Sequence, residues 1–280
     1  MSAYYHDLCA QNSVWLLCID REDRALEGEG ESKLQLVARQ MLEVLTMMKV
    51  DCHFGVVAQS CGTLYATALV ELVASRKDLS CVFVGLISPF LPLDFRGGNM
   101  VLRAARRAPE FIAKPLVLRV GKLISDEKIA EVAPEAIAKS LIKEGGGELT
   151  QKDLDLLAAC FAKNAVEMRT ACHVDDILVC LEKQARKRDV SQLDLQVLDH
   201  SRTHIWHGTH DRMIPHRAVS RFHRQMSNQV GLTTVPRATH NLMMHKRVFA
   251  DVLARLKIAH SEAKAEQGRK STIDINGCSV

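Results

Sequence analysis

Three consecutive segments constrain this chain most: residues 54–58, 61–75 and 81–87. The first and last are short, uncharged and almost continuously apolar or small, which is how a strand buried on both faces reads. The middle one is longer and has the length and composition of a helix. Strand, helix, strand in that order brings the chain back to the same end of a sheet, so the two strands pair in parallel. Residues 14–19, an apolar run ending at Asp20-Arg21, are expected to form an earlier strand. Leu34, Val37, Met41, Val44, Leu45 and Met48 recur at helical spacing and predict a helix over 34–49.

The pattern changes beyond Pro89. From about 97 to 192 only helical patterns occur, broken by Pro109, Pro115, Pro134 and the run Gly145-Gly146-Gly147. Thr150 with Asp153 three residues on reads as a capping box opening a helix. Strand patterns return at 203–206 and 232–235, separated by a helix at 216–227 and followed by one at 241–259. The expected organisation is an α/β core, mostly parallel sheet flanked by helices, formed by 1–89 and 200–259. A helical lid at 90–199 interrupts it, and a polar, disordered tail at 260–280 follows.

Composition narrows the function classes. Apolar residues make up 47 % and charged residues 25 %, the balance of a globular protein rather than a disordered chain. The net charge of +4 is small beside 37 basic and 33 acidic side chains, so no nucleic-acid partner is expected. The basic cluster Arg103, Arg106 and Arg107 reads as a solvated helix face. No apolar run has the length of a membrane span, and the first residues lack the basic start and apolar stretch of a signal peptide. The nine cysteines are scattered, form no Cys-x-x-Cys pair and in part lie inside apolar runs, which fits a reducing, cytoplasmic compartment. His204, His207 and His210 lack a neighbouring cysteine or glutamate to complete a metal site, so neither metal nor cofactor is expected. The sequence leaves the oligomeric state open.

Chemistry concentrates at three places. Ala58-Gln59-Ser60-Cys61-Gly62 lies where a buried strand becomes a helix. A sharp turn there, flanked by small residues, raises the Ser60 side chain out of the sheet and aims the following N–H, that of Cys61, at an incoming carbonyl oxygen. Asp211 follows the third of the four sheet strands over 54–235, and His240 follows the fourth. Both lie just beyond carboxyl ends of strands, where open parallel sheets place their sites. Serine is a poor nucleophile near neutral pH; an imidazole takes its proton, and a buried carboxylate fixes and stabilises that imidazole. Asp211 also fits a simple turn acceptor, and His240 a helix-start surface residue.

The stretch His207-Gly208-Thr209-His210-Asp211-Arg212-Met213-Ile214-Pro215, the elbow at Ser60 and the order Ser, Asp, His together resemble the α/β-hydrolase superfamily over residues 1–258. Ser60-Cys61-Gly62-Thr63-Leu64-Tyr65 resembles a fungal-type branch of its esterase-like members. The resemblance implies a serine hydrolase cleaving a small ester, thioester or amide with an apolar part. Ser60 would be nucleophile, His240 base, Asp211 its orienting acid and Cys61 an oxyanion donor. Some members of the superfamily place the acid after the preceding strand, and that likeness makes Asp94, after strand 81–87, a backup for the role. It also implies a departure: the chain begins at what resembles the helix after the family's third strand (residues 3–11), so the loop carrying a second oxyanion donor is expected to be missing. The alternative expectation is therefore a catalytically inactive binding protein of the same fold.

Overall fold

In a computed structural model of the chain, the structure describes residues 2–19, 32–50, 53–76, 78–91, 105–109, 112, 115, 139, 141–143, 149–167, 176, 178–181, 197–200, 202–226 and 230–276. Asp94 and most of the expected lid lie outside them.

Among the described residues the sheet has four parallel strands in the order β1 (His53–Gln59), β2 (Ser80–Ile87), β3 (Thr203–Gly208) and β4 (Gly231–Val235). The apolar runs of β2 and β3 match their central positions: Val82 through Ile87 and all of β3 are buried, whereas β1, first in that order, is mostly half-buried. Helix α1 (Ser2–Gln11) precedes α2 (Lys33–Met47), and α3 (Gly62–Ala74) links β1 to β2. Ser32 caps α2 through a reciprocal bond pair with Gln35, which satisfies two otherwise orphaned N–H groups. On one sheet face α2, α3 and α6 (His216–Gln225) pack Leu34, Leu64, Leu69 and Phe222 against Val84, Leu86 and Ile205. On the other, α7 (Lys246–Asn276) covers Phe83, Ile87 and Trp206 with Val248 and Val252. The Trp206 indole N–H donates to Asp251 Oδ2 at 2.9 Å, so its polar edge is also satisfied.

Two expectations need correction. Residues 14–19 form no strand of this sheet: Val14 and Leu16 pack against a side cluster of Tyr4, Tyr5, Leu157 and Phe249, while Trp15 is 94 % exposed. Only one face of the run is covered, and an apolar run does not say whether a neighbouring strand is there to bond it. The tail is not disordered from 260 on: α7 continues to Asn276. Its residues Glu262, Ala263, Lys264, Ala265, Glu266 and Gln267 are strong helix formers, and Arg202 ties the extension down through Ala259 O (2.8 Å), Glu262 (3.1 Å) and Glu266 (3.0 Å).

Within 90–199, the longest described element is α4 (Gln151–Glu167), opened by the expected capping box: Thr150 N–H and Oγ1–H both donate to Asp153 Oδ2, at 3.0 and 2.8 Å. Lys246 bonds Asp153 and Lys152 bonds Asp7, which joins α4 to α7 and α1. A single turn, α5 (Val197–His200), packs on α3.

Candidate active site

The carboxyl ends of the strands are aligned by register: Gln59 stands beside Ile87, Ile87 beside Trp206, and Gly208 beside Val235. The residues leaving these ends therefore share one rim. Ser60 leaves β1 with φ 52°, the left-handed region that an L-residue enters at a cost of about 1 kcal/mol. Neighbours hold it there. Its N–H donates to Ile87 O (3.1 Å), and its carbonyl accepts from Thr63 N–H (3.0 Å) and Phe90 N–H (3.1 Å). Cys61 then stands at the N-cap position of α3, and a Cβ at Gly62 would meet the Ala58 Cβ at 3.6 Å, an ordinary contact. Ser60 and Cys61 thus carry the chain from the end of β1 into the start of α3.

Asp211 sits in the loop between β3 and α6 with its side chain fully buried. Oδ1 accepts from Met213 N–H (2.8 Å) and Ile214 N–H (2.9 Å), and Oδ2 stands 2.8 Å from His240 Nδ1. The turn acceptor and the histidine partner are therefore the same carboxylate, one oxygen for each. Burial works to raise its pKa, but the His240 bond and charge, the Ile214 N–H and His207 outweigh it and hold the carboxyl below its usual range. Near neutral pH Asp211 is ionised, and the carboxylate selects the His240 tautomer carrying its proton on Nδ1.

His240 is not a surface residue: its side chain is 14 % exposed, and its Nε2 is buried without a hydrogen bond. It is brought to the rim by stitching between the loops after β3 and β4. Thr209 N–H donates to Val235 O (3.1 Å), His210 N–H to Ala238 O (2.9 Å) and Arg237 N–H to Thr209 Oγ1 (2.8 Å). The approach at Gly208 is so close that a Cβ would stand 2.2 Å from Ala238 O and 2.6 Å from Thr239 O, which only glycine permits. From the other side Gln59 Nε2 donates to His240 O at 2.8 Å, tying the residue before Ser60 to the histidine itself. The structure thus unites Asp211 with His240 directly and ties His240 to Gln59, the neighbour of Ser60 in sequence, while His240 Nε2 makes no hydrogen bond to the Ser60 hydroxyl.

Gln59 and His207 were not singled out as contributors to this site by the sequence. A glutamine beside a turn serine carries no signal of its own. His207 lies in the same short stretch as Asp211, and that proximity was the available clue. The three histidines considered for a metal diverge: His204 Nε2 bonds Thr233 Oγ1 (2.8 Å), His207 Nε2 bonds Ile214 O (3.0 Å) and His210 Nδ1 bonds Thr209 Oγ1 (3.0 Å). Among the described residues no group of histidine, cysteine or acidic side chains has the arrangement of a metal site, and no helix is long and apolar enough to cross a membrane.

No protein-family model matches this sequence, and no curated protein matches it significantly. Solved structures do match its shape. A carboxylesterase of the thaumarchaeon Nitrososphaera gargenis is 12 % identical with TM-score 0.55, over 93 % of this chain and 86 % of its own. A bromoperoxidase of Bacillus anthracis is 12 % identical with TM-score 0.53, over 91 % and 85 %. MGS-M2, an α/β-hydrolase enzyme from a deep-sea metagenome of the Medee basin, is 13 % identical with TM-score 0.52, over the same 91 % and 85 %. At such identities the likeness speaks for architecture alone, and it agrees with the parallel sheet flanked by helices: this chain has the α/β-hydrolase fold.

Proposed function

We propose that the protein is a serine hydrolase that cleaves a small ester, thioester or amide. The observation that carries this reading is the buried Asp211–His240 pair at 2.8 Å, held beside the strained turn at Ser60 by the Gln59 bond. In the proposed reaction the Ser60 hydroxyl attacks the carbonyl carbon while His240 Nε2 takes its proton. The His240 imidazolium is stabilised by ionised Asp211, and the Cys61 N–H, at the start of α3, donates to the oxyanion. His240 then gives the proton to the leaving group, and a water repeats the sequence to release the acid. Hydrogen bonds of this kind tighten on substrate binding, so an open Ser60–Nε2 contact in the free protein is compatible with the role. The structural neighbours include a carboxylesterase, which favours carboxylic esters. No metal or cofactor takes part in the proposed scheme.

A fluorophosphonate probe tests the proposal. Labelling of the wild type that disappears in Ser60→Ala is the expected result. A folded wild type that stays unlabelled would overturn it and favour the second reading, an inactive binding protein. One observation favours that alternative: among the described residues, β1, the strand that leads into Ser60, pairs on one side only.

A further inference from the structure

His207 lies at the centre of the rim and is used by none of the steps above. It is wholly buried on β3, its ring stacks on that of His216 at 5.9 Å, and its Nε2 stands 3.0 Å from Ile214 O. A carbonyl oxygen can only accept, so Nε2 carries the proton. The other nitrogen, Nδ1, then presents a bare lone pair. It has no hydrogen-bond partner and stands 4.0 Å from Asp211 Oδ2, the same oxygen that faces His240.

We infer that His207 is a positioning residue: it clamps Ile214 from one side while Asp211 holds it from the other, and so aims Asp211 Oδ2 at His240 alone. The Ile214 peptide is gripped at both ends of its residue, its N–H by Asp211 Oδ1 at 2.9 Å and its carbonyl by His207. The loop from Gly208 to Ile214 is thereby closed on its own strand. The carboxylate inside it has one oxygen saturated by backbone and one left for His240. Because the His207 proton is committed to Ile214, His207 offers Oδ2 no competing donor. Burial, more than the opposing pull of Asp211, holds the His207 pKa down at about 4, so the ring stays neutral near pH 7. The inference rests on the reading of Asp211 as the partner of His240, yet it is testable without turnover.

Proton–nitrogen correlation spectra of the full-length protein labelled at histidine read each tautomer directly. Expected are an Nε2–H tautomer for His207 and a downfield Nδ1–H proton for His240, assigned by its loss in His240→Gln. In His207→Leu that downfield proton should shift or broaden away. In His207→Gln, whose amide can still donate to Ile214 O, it should persist. If the enzyme turns over an ester, His207→Leu should lower kcat by about 10- to 100-fold with KM within about twofold, and His207→Gln should recover most of it. An Nδ1–H tautomer of His207 in the wild type, or an unchanged His240 proton in the leucine variant, overturns the inference. Should His207→Leu not fold, the wild-type tautomer and the glutamine variant decide. If Ser60 resists the fluorophosphonate while both tautomers are as expected, the hydrolase reading has failed and the positioning role stands.

Discussion

Mild acidification should destabilise this protein substantially through two buried histidines, above the pH at which most carboxylates protonate. His204 and His207 are both buried, and in both cases burial is the leading cause that lowers the pKa from 6.5 to about 4. In the unfolded chain they return to their ordinary value. Between pH 6.5 and about 4 the unfolded state therefore binds protons that the folded state refuses, and stability falls as pH falls. Going from about pH 7 to about pH 5, each histidine is worth on the order of 2 kcal/mol and the two together roughly 4 kcal/mol. That is a large share of the roughly 5–15 kcal/mol of a typical domain. Asp211, whose pKa is lowered, adds a loss of the same sign only further down, as its carboxyl titrates. Urea titrations followed by circular dichroism at the two pH values measure the difference. His207→Gln, which has nothing to titrate at that position, should remove about half of it. A wild-type difference below about 1 kcal/mol would show that the two rings are solvated or protonated in the fold, and would refute the reasoning.

Other substitutions probe the rim and the carboxyl-terminal helix. Asp211→Asn keeps the acceptor for Met213 and Ile214 but turns an N–H toward His240 Nδ1, which forces the wrong tautomer; turnover of a p-nitrophenyl ester should fall by roughly four orders of magnitude. Asp211→Ala also strands two N–H groups and should cost on the order of 2–5 kcal/mol in a urea titration. Gly208→Ala drives a Cβ into backbone carbonyls of the loop bearing His240, so melting temperature and the rate of Ser60 labelling should drop together, with a stability loss of about 1–3 kcal/mol or more. Arg202→Ala should speed amide exchange in α7 beyond Ala259 while changing global stability by less than about 1 kcal/mol, because its ion pairs are half-exposed.

Much of the architecture is local enough to read from the chain itself. The strands β1 to β4, the helices between them and the Thr150 capping box follow from patterns spanning only a few residues. The order Ser60, Asp211, His240 follows from which strand each comes after. Such features survive any arrangement of the rest, because hydrophobic period and capping chemistry act over one or two turns. Where the pattern is silent about neighbours, tertiary contacts decided. Residues 14–19 are as apolar as a buried strand, yet they pack on one face only, against α1, α4 and α7. Residues 260–276 are as polar as a disordered tail, yet they continue a helix that Arg202 anchors from β3's leading edge. The site shows the same division. Residue types and their order name Asp211 and His240, but the shared duty of the carboxylate, the Gln59 bond and the grip of His207 on Ile214 exist only once four strand ends line up in register. Hydrogen bonds across 181 positions of sequence, such as that from Gln59 to His240, leave no local trace, because it is the fold and not the spacing along the chain that makes those atoms neighbours.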